Sequence, residues 1–241
     1  MRKKIIQITA ILTLILSLSC SKSTEEGFNE ANGDVVKKYI KQFQIFDNNR
    51  GNISYTINYG INNKVSSITN GNNTNVFLNY DESNDLKSII KGSETFNIDE
   101  LYQSPYDAFE TGDVLEYDDK GNPVKIEVYE DGNGSNILIG DIIYDPNPNP
   151  FYYTLQAAGI IDILDRVDLT FGYSNPSIIN AKLLLPYNNI KSMIFKNTSG
   201  ITQYEVQINY NYGDDKYPIS ANVITLSQYE TSTCTLIYNY K

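Results

Sequence analysis

The chain has 241 residues, 41% of them apolar, with 19 Lys and Arg against 29 Asp and Glu and a formal charge of −10. Such acidity argues against nucleic acid and anionic headgroups as partners. Histidine and tryptophan are absent, which removes the Ser-His-Asp and Cys-His nucleophile systems, every His-ligated metal site and the strongest sugar-stacking platform.

Arg2, Lys3 and Lys4 precede an apolar run over residues 5–18, and Leu18 and Ser19 lead into Cys20. A charged start, a short apolar stretch and a small residue at the cut describe an export signal. The run falls short of the roughly 18 to 20 apolar residues that span a bilayer. Leu16-Ser17-Leu18-Ser19-Cys20 resembles a bacterial lipobox, with Ser17 where an aliphatic residue is usual. The expectation is a signal peptide over 1–19, then a lipidated Cys20 with a flexible tether over 20–34, and one β-rich domain over 35–241. Several acyl chains on one residue hold a protein to a membrane without spanning it. The membrane is therefore an expected partner through Cys20, at the periplasmic or cell-surface face of the outer membrane.

Residues 21–33 are polar, with Phe28 as their only large apolar side chain, and read as a spacer unable to fold alone. The stretch 22–26 resembles the short charged signals that send some Bacteroidota lipoproteins to the cell surface. Without the three leader cations the formal charge becomes −13. With Cys20 lipidated, Cys234 is the one remaining cysteine. It alternates with Leu236, Tyr238 and Tyr240 and reads as a small core residue rather than a reactive thiol.

The rest is a succession of strand patterns. Tyr55, Ile57 and Tyr59 alternate with polar residues, as do Val76, Leu78 and Tyr80, and Ile208, Tyr210 and Tyr212. Each run ends in a tyrosine followed by a turn. Tyr59 has Val65 and Ile68 six and nine residues later, and Tyr80 has Leu86 and Ile89 at the same offsets. Tyr117 has Pro123 and Ile126 there, and Tyr144 and Tyr212 have Pro150 and Pro218 at offset six. Between lie Asn62-Asn63, Asn84-Asp85, Gly121-Asn122 and Asp214-Asp215, which make the units β-hairpins. The tyrosines are expected at strand ends, rings packed and hydroxyls near water. The fold class is all-β: an antiparallel meander of about a dozen strands, curled into a half-barrel or split into a sandwich. Asp145 to Pro150, with Pro146, Pro148 and Pro150, is excluded from a central strand. One short helix is expected near 153–166, weakened at Gly159.

Tyr80-Asp81, Tyr117-Asp118 and Tyr144-Asp145 resemble the Tyr-Asp repeat. With the lipobox, Asn149-Pro150-Phe151, Asn188-Asn189-Ile190-Lys191, Tyr217-Pro218 and the ending Tyr238-Asn239-Tyr240-Lys241, they resemble a family of Bacteroidota lipoproteins with degenerate Tyr-Asp hairpins and no assigned activity. The resemblance covers most of the exported chain and implies a location and a β-rich fold, with no catalytic residue. Gly60 and Gly213 stand where the repeat has Asp, which limits that Asp to turn formation.

Acidic clusters at Asp113, Glu116, Asp118 and Asp119, at Glu130 and Asp131, and at Asp214 and Asp215 read as hydrated turns rather than Ca²⁺ ligands. The calcium-like start at Asp131 has Asn136 and Ile142 where the loop needs Gly and Glu. No catalytic residue, metal ligand or cofactor is assigned. The expected role is a non-enzymatic envelope lipoprotein, binding or structural, with a glycan or a protein as the ligand class. The alternatives are a surface glycan-binding protein and a carboxylate-dependent glycoside hydrolase, which needs only two carboxylates at the right separation.

Overall fold

The computed structural model describes residues 22–47, 51–71, 75–107, 112–129, 136–171 and 177–241. Cys20, the signal segment and the loop at Glu130 and Asp131 lie outside the described residues. The alternating runs are strands: β1 (Ile40–Asp47), β2 (Gly51–Tyr59), β3 (Val65–Asn70), β4 (Asn75–Tyr80), β5 (Leu86–Lys91), β6 (Glu94–Asn97), β7 (Tyr106–Asp107), β8 (Asp113–Tyr117), β9 (Pro123–Tyr129), β10 (Ile137–Pro148), β11 (Asp168–Phe171), β12 (Ser177–Asn180), β13 (Asn188–Asn197), β14 (Thr202–Tyr212), β15 (Pro218–Ser227) and β16 (Thr231–Tyr240).

Among the described residues, thirteen strands form one open antiparallel sheet in the order β6-β5-β4-β3-β2-β1-β16-β15-β14-β13-β10-β9-β8. The all-β expectation is met by this sheet, which is curled and unclosed rather than split into a sandwich. A separate sheet, β12-β11-β7, contains a parallel pair between β11 and β7 that the meander reading missed.

Register puts the buried apolar set on one face. Phe43 faces Tyr55 and Tyr238 across the ladder, Ile57 faces Ile68, and Leu78 faces Ile89. The opposite face is mixed: Asn, Gln, Ser and Thr side chains bond across strands, Gln42 to Ser54, Asn58 to Ser67, Asn79 to Ser88 and Thr235 to Asn222, and exposed Phe46, Phe77 and Ile143 lie among them. An antiparallel sheet with one packed and one solvated face has this alternation.

The packed face curls around the segment that follows β10. Helices α2 (Tyr152–Ala157) and α3 (Ile160–Leu164) replace the single helix expected there. They break at Gly159, whose φ is 76° and whose added Cβ would lie 3.1 Å from the Leu86 Cβ. Only glycine adopts that conformation without strain. The plug touches distant strands at once. Phe151 packs edge-on to Phe43, 5.3 Å between ring centres, and lies 6.2 Å from Tyr238. Thr154 Oγ1 accepts from the Ile40 N–H at 2.8 Å.

Two expectations need correction. The stretch read as a spacer is not free over Thr24–Asn32, which forms helix α1. A capping box starts it: the Glu26 N–H donates to Ser23 Oγ, and the Ser23 N–H donates to the Glu26 carboxylate. The helix survives because Phe28 is fully buried and stacks on Tyr152 at 3.6 Å, so tertiary packing supplies what composition lacks. The second correction concerns the proline stretch, since β10 runs on to Pro148. Its pairing with β9 ends at Asp141, which frees one edge, and its register with β13 is broken between Tyr144 and Pro148. Proline is tolerated in such places because no ladder donor is needed.

The tyrosine hairpins share one geometry. The residue after the strand donates its N–H to the carbonyl four residues on: Gly60 to Lys64, Asp81 to Asp85, Asp118 to Asn122 and Gly213 to Tyr217, at 2.8–2.9 Å. The residue at the fourth loop position has positive φ, as Asn63, Asn84, Gly121 and Lys216. This is a tight turn closed by a bulge. Where Asp is present its carboxylate accepts two loop N–H groups, from Ser83 and Asp85 at Asp81, and from Lys120 and Asn122 at Asp118. The repeat's aspartate therefore shapes the turn.

Candidate functional site

The tyrosines at the strand ends are architecture. Five hydroxyls donate to a carbonyl near the start of the neighbouring strand: Tyr59 to Ile40 (2.7 Å), Tyr80 to Val65 (2.6 Å), Tyr144 to Pro123 (2.8 Å), Tyr210 to Ile190 (3.1 Å) and Tyr240 to Pro218 (2.8 Å). The hydroxyls were expected near water; backbone carbonyls take them instead. Burial pushes the Tyr80 phenol up to about 12 and raises those of Tyr144, Tyr210 and Tyr240 as well. Tyr212 is raised by burial and by its hydrogen bond to the Asp145 carboxylate.

The helical plug covers only one end of the packed face. Ala221 and Tyr238 beneath it are buried. Farther along the same rows, Met193, Val206, Val223, Leu236 and Ile45 are half-buried, and Ile53 and Tyr204 are each 39% exposed. Cross-strand register keeps these side chains on one face: Met193 opposite Val206, Val223 opposite Cys234, Leu236 opposite Ile45 and Ile45 opposite Ile53. A cleft of about 190 Å³ lies where the plug meets this surface, between Phe151, Ile190, Ile208, Tyr210 and Tyr238. Exposed apolar surface of this kind makes this face a candidate binding surface.

A second concavity of about 260 Å³ lies beside the plug, with Leu86, Gly159 and Ile163 below and Asp81, Asp85, Asp99, Asp162, Lys87 and Arg166 around it. Asp81 is committed to its turn. Burial, with Asp85 and Asp165 nearby, holds the Asp162 carboxyl above the usual carboxylate range. The Arg166 guanidinium sits over the Tyr102 ring, 5.3 Å from its centre.

The remaining sequence candidates disperse. Asp118 closes its hairpin, and Asp215 pairs with Lys38. Among the described residues no group of three Cys, Asp or Glu side chains is placed to hold a metal ion. Cys234 is half-buried rather than sealed in the core, and burial pushes its thiol up. Sequence reasoning missed the open apolar rows. Their alternation was visible, but nothing in it says how far the plug reaches.

No family model matches the chain, and no curated protein matches it. Among solved structures, a porin-like protein from Bacteroides uniformis is 11% identical, with 84% of this chain and 98% of that one covered at a TM-score of 0.40. A porin-like protein from Bacteroides vulgatus is 12% identical, with 85% and 99% covered at 0.31. A LolA superfamily protein from Nitrosomonas europaea is 9% identical, with 92% and 94% covered at 0.24. At such identities and TM-scores nothing about activity passes from these proteins to this chain.

Proposed function

We propose that this chain is a non-enzymatic outer-membrane lipoprotein, held by acyl chains on Cys20, that grips an apolar segment of a protein partner on the open inner face of its sheet. The apolar rows that emerge from under the plug carry this reading. Met193, Val206, Val223, Leu236 and Ile45 are left half exposed there side by side, while on the opposite face the exposed apolar side chains Phe46, Phe77 and Ile143 are interspersed with polar ones bonded across strands. The anchor is supported by the order of leader charges, apolar run, Ser19 and Cys20.

Two experiments test it. Cys20→Ala should move the protein from the membrane fraction to the soluble one; a variant that still pelleted like wild type would remove the anchor. The exported domain, made without residues 1–20, should bind an apolar dye such as bis-ANS in its native state. Val206→Asp should abolish that binding and Gln207→Asp, on the opposite face, should spare it. Equal loss in both variants would remove the groove.

A second reading takes the acidic concavity as a glycan site or a hydrolase site, because burial raises the Asp162 carboxyl, the direction a general acid requires. It requires that Asp162→Asn abolish turnover of, or binding to, an oligosaccharide with the melting temperature unchanged. An oligosaccharide screen with no response would leave the groove alone.

A further inference from the structure

Helix α1 shortens the expected tether to almost nothing. The Lys22 carbonyl accepts from Lys182 Nζ at 2.6 Å, the Thr24 N–H donates to Asp165 at 3.3 Å, and Phe28 is sealed against Tyr152 and Tyr153. Only Ser21 separates Lys22 from Cys20. Two residues reach at most about 7 Å when fully extended. Acyl chains on Cys20 would therefore emerge beside Lys182 rather than at the end of a long leash.

The residues next to Lys182 suit that neighbourhood. Ala181–Leu184 is a 3₁₀ turn in which Ala181 is buried, while Leu183 and Leu184 are 37% and 41% exposed. Their charged neighbours are neutralised: Lys182 lies 3.9 Å from Asp165 and Lys22 lies 2.6 Å from Glu30. Two partly exposed leucines, flanked by these ion pairs, directly follow the lysine that holds the Lys22 carbonyl. Ile61, 87% exposed, stands on the turn after Tyr59 at the same end of the sheet.

The geometry points to a second membrane contact: the Ala181–Leu184 turn rests on the bilayer that holds Cys20, with Leu183 and Leu184 in its interface. This deepens the anchor reading and rests on it. One acyl-bearing residue alone would leave the body free to swing, whereas anchor and turn together fix which end faces the lipid. The plug end is then proximal. The hairpin tip at Ser227 to Glu230 is distal by the ten residues of β15, about 30 Å of strand. The open apolar rows point away from the membrane.

The test uses the full-length lipidated protein with Cys234→Ser, carrying an NBD label at Leu184→Cys, Leu183→Cys or, as the distal control, Tyr229→Cys. Tyr229 is 94% exposed. The protein is reconstituted in vesicles of phosphatidylethanolamine with a minority of phosphatidylglycerol, and the mass of the N-terminal peptide reports acylation. With Cys20 acylated, the labels at 183 and 184 should lose most of their emission to nitroxide-bearing lipids and shift to the blue, while the label at 229 answers only to an aqueous quencher. Acylated protein with all three labels in water would overturn the contact and leave the anchor intact. An N-terminal peptide without acyl chains would overturn both.

Discussion

At Tyr80 one side chain does two things. The ring closes an apolar row with Val76 and Leu78, and the hydroxyl ties the strand end to the Val65 carbonyl at 2.6 Å. Tyr152 and Tyr217 are the contrast, since their buried hydroxyls have no hydrogen-bond partner among the described residues. A made hydrogen bond is worth about 1 kcal/mol net, while a buried polar group without one costs about 1–3 kcal/mol. Tyr80→Phe should therefore destabilise by about 1 kcal/mol in urea unfolding, and Tyr152→Phe should be neutral or stabilising. Equal losses in both would mean that the Tyr80 bond contributes nothing specific.

The same phenol predicts an alkaline limit. Tyr80 is held up to about 12 in the fold, against about 10 for a free tyrosine. Between those values the unfolded chain gives up the proton first, so unfolding is favoured as pH rises. The contribution is complete below about pH 10 and is lost as pH climbs through about 12. Chemical unfolding across that window should show stability falling, less steeply in Tyr80→Phe than in wild type. A flat profile in wild type would contradict the burial of these phenols.

At the scale of elements, α1 decides whether the chain has a leash or a docked arm. Phe28 is its only fully sealed apolar side chain, and a Cβ on Gly27 would come within 2.5 Å of the Tyr187 hydroxyl. Truncating a buried phenylalanine costs about 3–5 kcal/mol. A nine-residue helix cannot stand alone in water. Phe28→Ala should therefore release Thr24–Asn32 while the sheet stays folded, read as rapid amide exchange confined to that segment. Unchanged protection there would show that the capping box and Asn32 hold the helix without Phe28.

The elements also show what could be read beforehand. Period-two alternation and the turn residues located the strands that end at Tyr59, Tyr80, Tyr212 and Tyr240 and the returns at Val65, Leu86 and Pro218, because each hairpin is specified by residues within a few positions of one another. Helix α1 was invisible, since its stability comes from Tyr152 and Tyr153, more than a hundred positions away. The β7–β11 pair was invisible for the same reason, as parallel strands need a long crossover and no local turn announces them. The extent of the groove was equally out of reach, being set by where α2 and α3 stop.

At the scale of the whole molecule, the sheet has a plugged end and an open end, and the account assigns anchoring to the first and recognition to the second. The claim turns on a single-residue parity. Val206 and Gln207 are adjacent in β14, with Val206 on the inner face opposite Met193 and Gln207 on the outer face opposite Ser192 and Ile224. A photo-crosslinking amino acid at each position in turn, in living cells, reads the two faces of one strand with everything else held constant. The account predicts a crosslinked protein adduct from position 206 and none from position 207. Adducts of equal yield from both, or from 207 alone, would contradict it.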